Sequence, residues 1–221
     1  MRTRVAGRPV RRLLLVMAAA LALAAGTALG SYAVWLRVGT GAAPDAGEAA
    51  RTDRLASALA RPPAAGNAAE AARPVRRGDL VAVVRIPALG PTWVYPVYEG
   101  TDDAELSRGL AHYPGTAAPG AVGNFAVAGH RSSLSGFEPF ADLPELVHPG
   151  DEITATARGG VYTYVVTATR NVSPRDVAVL AADQGRGADP AQRLITLTTC
   201  TPRFGHSGRY VVFGRLEAPP R

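Results

Sequence analysis

The chain has 221 residues, of which 47% are apolar and 19% charged, with a net charge of +6 and a single cysteine. This length is typical of one domain of ordinary size with accessory segments and excludes a large multidomain protein. One cysteine excludes an intramolecular disulfide and a cysteine-based structural zinc site. Residues 1–37 hold six arginines and no acid, whereas residues 73–221 hold 15 arginines and 14 acids. Because nucleic-acid-binding proteins concentrate positive charge on the folded domain, we expect no nucleic-acid partner.

An apolar stretch follows the basic N-terminus. Residues 13–36 form 24 positions without a charge, long enough as a helix to cross a hydrocarbon core of ~30 Å. The arginines before it predict a cytoplasmic tail over 1–12, a single transmembrane anchor over 13–36, and a remainder outside the cell membrane. A cleaved signal peptide is the alternative, because Ala28-Leu29-Gly30 resembles a small-residue cleavage site.

The next segment, residues 37–74, is dominated by alanine, glycine and proline and contains no aromatic residue. Such a composition cannot bury enough apolar surface to form a domain. We therefore predict a flexible linker that holds the following domain off the membrane, with one or two helical turns over residues 53–59.

Residues 75–221 form the folded domain, in which short β-branched or aromatic runs alternate with glycine and proline. Gly159-Gly160 indicates a two-residue hairpin turn, and short helices are predicted over residues 102–106 and 139–143. Evenly spaced short strands with few helices predict an all-β fold, either a closed barrel or a sandwich. The predicted strands cover seven ranges: 80–86, 93–98, 124–128, 152–157, 161–167, 194–199 and 210–216.

The last two predicted strands bring a thiol and a guanidinium together. If they pair as a hairpin, Cys200 faces Arg209, with Cβ atoms about 5 Å apart. A neighbouring cation favours the thiolate, which is the nucleophilic form of cysteine, and a guanidinium can stabilise an oxyanion. Cys200 also shares a strand face with the polar residues Thr196 and Thr198, which favours a functional role. The alternative is that Cys200 is only a small buried apolar side chain, as lone cysteines often are.

His130 is the histidine best placed to act with Cys200. It follows Gly129 at the end of a predicted strand, from which an imidazole can reach a neighbouring strand end and serve as general acid and base. A surface or capping role is the alternative. His112, His148 and His206 have the sequence context of turn residues, and no histidine pair has the spacing of metal ligands, so we expect neither a metal nor a cofactor.

Three sequence features resemble those of the sortases and occur along the chain in the family's order. Sortases are membrane-anchored cysteine transpeptidases. Residues 196–200 are similar to the family's Thr-Leu-x-Thr-Cys motif, and residues 128–131 to its Ala-Gly-His-Arg motif. Arg209 follows the cysteine by nine residues, as the family's arginine does. The resemblance covers residues 78–217 and implies catalytic roles for His130, Cys200 and Arg209. It also implies a sortase-type closed β-barrel of about eight strands, one more than the seven predicted from the sequence pattern.

The segments His112-Tyr113-Pro114-Gly115 and Gly123-Asn124 are most similar to class E sortases of actinobacteria. This resemblance implies cleavage between Thr and Gly of a Leu-Ala-x-Thr-Gly sorting signal, with Leu-Pro-x-Thr-Gly as the alternative, through a thioacyl enzyme. It implies secreted proteins as substrates and a peptidoglycan amine, from the lipid-linked precursor or stem peptide, as acceptor. Tyr113 and Thr199 become substrate-binding candidates, with packing on the barrel as the alternative for Tyr113.

Three other functions are compatible with some of these residues. An L,D-transpeptidase also uses Cys, His and Arg, but its usual Ser-x-Gly-Cys loop is absent from the sequence. A cysteine peptidase would result if water reached the thioester. A cell-wall-binding scaffold could retain the fold without the chemistry.

Overall fold

The computed structural model describes residues 8–38, 43–61, 73–189 and 191–217. Eight strands close into a barrel in the order β1-β2-β3-β4-β7-β8-β6-β5, which confirms the predicted all-β closed barrel. The strands are β1 (Leu80–Arg85), β2 (Val94–Glu99), β3 (Leu110–His112), β4 (Gly123–Ala128), β5 (Glu152–Ala157), β6 (Gly160–Val172), β7 (Arg193–Thr201) and β8 (Gly208–Leu216).

The eighth strand, β3, was not among the seven predicted from the sequence pattern. It has three residues, too few to show an alternation. Its backbone pairs parallel to β2 and antiparallel to β4, so tertiary contacts rather than local propensity define it. His112 accordingly lies in a strand, and its interpretation as a turn residue was wrong.

The connections also differ in detail from the prediction. Ala157 pairs with Gly160, so Arg158 and Gly159 form the β5–β6 turn and Gly160 already belongs to β6. Helix α3 (Asp103–Leu106) occurs where predicted, but Asp102 makes no side-chain cap and instead forms an ion pair with Arg77 at 2.5 Å. The helix predicted over 139–143 begins later, as α4 (Leu143–Leu146).

Alternation along the strands separates the inside of the barrel from its outer face. The inner side chains of three neighbouring strands include Phe125 of β4, Ile195 and Leu197 of β7, and Val212 of β8, which pack in the main apolar core. The alternate residues point outward. Cys200 and Arg209 have this outward phase, and His130 follows β4 in the adjoining loop.

A helix occupies part of the segment predicted to be a flexible linker. Helix α2 (Ala46–Ala60) is 15 residues long and is capped by Asp45, whose carboxylate accepts a hydrogen bond from the backbone N–H of Glu48 at 2.8 Å. Its Ala49 packs on Val83 and Val94, on the outside of β1 and β2. The predicted one or two turns underestimated this helix, because its apolar positions are mostly alanine, a weak signal of burial in sequence.

Helix α1 (Arg8–Val38) contains the apolar N-terminal stretch. Its segment Arg12–Tyr32 is long and apolar enough to cross a membrane. Residues 1–40 and 41–221 form separate compact units.

Candidate active site

Cys200 and Arg209 are directly paired in the antiparallel β7–β8 ladder. The ladder ends one residue later, where Thr201 pairs with Gly208, so both side chains lie at one end of the barrel. Directly opposed residues have Cβ atoms about 5 Å apart. The predicted juxtaposition of thiol and guanidinium is therefore present in the backbone register.

His130 reaches the same end of the barrel on the other side of β7. Strands β4 and β7 are parallel, and their last registered pair is Ala128 with Thr198. The backbone N–H of Gly129 then donates to the carbonyl oxygen of Thr198 at 3.1 Å. His130, in the loop after β4, and Cys200, in β7, each follow that pair by two residues. Paired strands lie about 4.8 Å apart.

The three side chains are neither sealed in the core nor fully exposed. Cys200 is a free, half-buried thiol, and His130 and Arg209 are also half-buried. The Arg209 Nη1 donates to the carbonyl oxygens of Gly208 at 2.9 Å and His206 at 3.3 Å. A thiol, an imidazole and a guanidinium thus share one accessible edge of the barrel, a combination of groups that can support acyl transfer.

Comparison with known proteins agrees with this geometry. Residues 84–217 match the family model of the sortase domain. The chain belongs to the sortase family. Sortases are transpeptidases that anchor proteins to the cell wall.

Individual relatives include class E sortases. Sortase SrtE1 of Streptomyces coelicolor is 37% identical over 65% of this chain and 42% of its own length, and sortase D of Bacillus subtilis is 28% identical over 62% and 64%. This sortase thus spans less than two thirds of either relative. The structure of sortase E from Streptomyces avermitilis is 41% identical, covers 65% of this chain and 91% of that one, and has a TM-score of 0.57. A structure of S. coelicolor sortase E1 with a tripeptide in the active site is 33% identical over 64% and 90%, with a TM-score of 0.57.

Thr199 joins the strand that carries Cys200 to the strand that precedes His130. Its side chain is only 3% exposed, and its hydroxyl donates to the carbonyl oxygen of Gly129 at 2.7 Å. This hydroxyl is therefore engaged inside the protein, where it ties the end of β4 to β7.

Tyr113 lies just after β3 and is half-buried. Its hydroxyl is 3.0 Å from the hydroxyl of Thr198. Thr198 has the same phase on β7 as Cys200, so the ring of Tyr113 reaches the outer face that carries the thiol. The contact with Thr198 shows that Tyr113 packs on the barrel, and its role in substrate binding stays a prediction.

A buried polar network that the sequence pattern did not predict lies beneath the β6–β7 connection. Thr196 is completely buried; its hydroxyl donates to the amide oxygen of Asn124 at 2.9 Å. The amide nitrogen of Gln184 donates to the carbonyl oxygen of Ile195 at 2.8 Å and is 3.2 Å from the Thr196 hydroxyl. Gln184 has a φ of 59°, rare for a residue other than glycine, and nothing in the local sequence marks it.

This network fastens the β6–β7 connection to the outer face of the barrel. The Asn124 amide also donates to the carbonyl oxygens of Val179 and Ala181 at 3.1 Å. Val179, in a 3₁₀ turn over Val177–Leu180, packs on Val211 and Phe213 of β8. The connection therefore forms a fixed wall along the face that ends at Cys200 and Arg209.

Proposed function

We propose that this sortase is a cysteine transpeptidase that cleaves a C-terminal sorting signal between Thr and Gly and joins the substrate protein to a peptidoglycan amine. The observation that carries the proposal is the register of three adjacent strands. Cys200 pairs with Arg209 on one side, and the parallel β4–β7 ladder leads to His130 on the other.

The proposed reaction has two acyl transfers. The Cys200 thiolate attacks the carbonyl carbon of the threonine, and the Arg209 guanidinium stabilises the resulting oxyanion. His130 donates a proton to the glycine nitrogen, the C–N bond breaks, and a thioester between threonine and Cys200 remains. The acceptor amine loses a proton to His130 and attacks the thioester, which forms the new amide and releases the thiolate.

The proposed substrate motif is Leu-Ala-x-Thr-Gly, with Leu-Pro-x-Thr-Gly as the alternative. The class E resemblance supports the first. In this proposal a peptide in extended form lies along the outer face between Tyr113 and the β6–β7 wall, above the buried Thr198. Thr199 would support this groove from inside through its bond to Gly129.

The proposed location follows from the N-terminal helix. Arg12–Tyr32 would cross the cell membrane once, with the basic tail in the cytoplasm and the barrel outside. This arrangement would keep the enzyme, a secreted substrate and a lipid-linked peptidoglycan precursor at one membrane surface.

Mass spectrometry of the full-length chain in detergent tests the proposal. The chain is mixed with peptides that differ only in alanine or proline at the second motif position, with and without triglycine as the amine. We expect a thioester on Cys200, loss of the glycine-containing fragment, and a ligated peptide when the amine is present. The Cys200→Ala variant is the control and should form neither product.

The outcomes separate the alternatives. Hydrolysed peptide without ligated product, at saturating amine, would favour a peptidase. A wild-type chain that forms no adduct with either peptide would contradict the proposed sorting signals, and a Cys200→Ala variant that still anchors proteins in cells would favour a scaffold.

A further inference from the structure

The loop that follows His130 and the loop that follows Cys200 are joined by a largely buried ion pair. Nη2 of Arg203, three residues after Cys200, lies 2.9 Å from Oε2 of Glu138, eight residues after His130. The Glu138 side chain is 1% exposed and the Arg203 side chain 18%. A contact so well shielded from water is screened far less by salt than a surface ion pair is.

Glu138 is also bound to the loop that carries the histidine. Its Oε1 accepts a hydrogen bond from the backbone N–H of Ser133 at 3.0 Å. Two residues beyond Glu138, the backbone N–H of Phe140 donates to the carbonyl oxygen of His130 at 2.9 Å. The carboxylate therefore fixes the interior of a loop that closes on His130 itself.

A second arginine, Arg131, comes from the loop after His130 and contacts the segment after Cys200. Arg131, next to His130, is 8% exposed, and its Nη1 donates to the hydroxyl of Thr201 at 3.2 Å. The backbone N–H of Phe204 also donates to the hydroxyl of Ser132 at 3.1 Å. Residues that follow His130 are thus hydrogen-bonded directly to residues that follow Cys200.

We propose that Glu138 and Arg203 are positioning residues that hold the imidazole of His130 at reacting distance from the thiol of Cys200. The inference rests on the proposed function, because it assigns the pair to the same two reacting groups. A buried ion pair adds little net stability relative to apolar packing. A contribution to folding stability therefore does not by itself explain the pair of Glu138 and Arg203. Misplacement of reacting groups by about 1 Å can cost on the order of 100-fold in rate.

The test uses full-length chains in detergent that carry Glu138→Gln, Arg203→Met or both. Glutamine keeps the shape of the side chain and an oxygen for the Ser133 N–H, but removes the charge that Arg203 meets. Arg203→Lys restores a cation. Arg85→Met, which removes a more exposed ion pair to Asp53 of α2 and a hydrogen bond to the carbonyl oxygen of Pro91, is the matched control for loss of an arginine. Ile153→Val in β5 is a control for lower stability.

Two rates are measured for each variant at a temperature where it is folded. One is thioester formation as a function of peptide concentration. The other is alkylation of Cys200 by iodoacetamide across pH, which needs no peptide and reports on the thiol and its neighbouring imidazole. Alkylation therefore tests the positioning pair even if the peptides do not react.

We expect Glu138→Gln and Arg203→Met each to lower the maximal rate of thioester formation about 10- to 100-fold, with KM changed less than about threefold. Their alkylation pH profiles should shift from the wild-type profile. The double variant should be no slower than the slower single variant, because both changes break one contact. Arg203→Lys should recover part of the rate, and the two controls should keep the wild-type profile.

The inference would be overturned by wild-type alkylation profiles in both single variants, by rates within twofold of wild type, or by losses that multiply in the double variant. If Glu138→Gln does not fold, the inference is tested by comparing the two rates of Arg203→Met and Arg203→Lys with those of the wild type. A wild-type chain that forms no thioester, while the alkylation profiles still shift, would contradict the proposed function and support the positioning pair.

Discussion

Arg209 lies opposite Cys200 in the β7–β8 ladder, and its guanidinium is held at that strand end by the carbonyl oxygens of Gly208 and His206. The two backbone acceptors orient the cation before any substrate arrives. A preorganised donor stabilises developing charge without having to reorganise during the reaction.

Removal of this guanidinium should lower the rate of transpeptidation. We expect Arg209→Ala to reduce kcat/KM for a sorting-signal peptide by about 10²- to 10³-fold, the cost of losing one oxyanion donor. Arg209→Lys should retain part of the rate, since it keeps the charge but not the planar geometry. Arg215→Ala is the matched control, because Arg215 is an exposed residue of the same strand; an equal loss in that variant would contradict the assignment.

The hydroxyl of Thr199 should stabilise the fold and support catalysis at once. Thr199→Val keeps the side-chain shape but leaves the buried carbonyl oxygen of Gly129 without this partner. We expect the free energy of unfolding to fall by about 1–3 kcal/mol, measured by urea denaturation, together with a lower kcat because Gly129 precedes His130. Thr163→Val on β6, where the side chain is half-buried, is the control; unchanged stability of Thr199→Val would show that the hydrogen bond contributes nothing.

Helix α2 should stabilise the barrel. A chain that begins at residue 73 lacks α2 and exposes Val83 and Val94, which are buried beneath it. Relative to a chain that begins at residue 43, we expect the free energy of unfolding to fall by about 3–6 kcal/mol, since each of the two buried valines contributes about 1.5–3 kcal/mol. Arg85→Gln in the longer chain removes the exposed ion pair with Asp53 and the hydrogen bond to the carbonyl oxygen of Pro91 and should cost about 1 kcal/mol. Identical urea midpoints for the two chains would contradict this prediction.

Two buried tyrosines should make the domain sensitive to alkaline pH. Burial raises the pKa of Tyr95 and of Tyr164 to about 12, whereas both ionise near pH 10 in the unfolded chain. The folded state therefore holds these two protons more tightly, and the resulting stabilisation is complete below pH ~10 and lost as the pH rises towards ~12.

Absorbance titration and urea denaturation as a function of pH check this expectation. Two of the seven tyrosines should ionise only near pH 12 or on unfolding. In Tyr164→Phe the fall in stability with rising pH should be shallower, although the variant is less stable at neutral pH because the Gly120 N–H loses its acceptor. Ordinary ionisation of all seven tyrosines in the folded protein would contradict the assignment.

The sequence alone determined the all-β class, seven of the eight strands, and the pairing of Cys200 with Arg209. These features follow from short-range rules: side chains alternate along a strand, and a hairpin places the two sides of its loop in register. The position of His130 after a predicted strand made it a candidate, and the family motifs supported that choice. No local rule could place it beside the strand of Cys200, because β4 and β7 are 65 or more residues apart and pair in parallel only through the barrel.

The tertiary structure decided the rest. Strand β3 is defined by its neighbours, and helix α2 by the barrel face that it covers. The position of Gln184 is defined by the carbonyl oxygen of Ile195 on β7. The ion pair between Glu138 and Arg203 joins loops that are 65 residues apart in the chain. Charge and composition do not specify such partners, because the energy of a buried polar contact depends on the distance and solvent exposure that the folded chain creates.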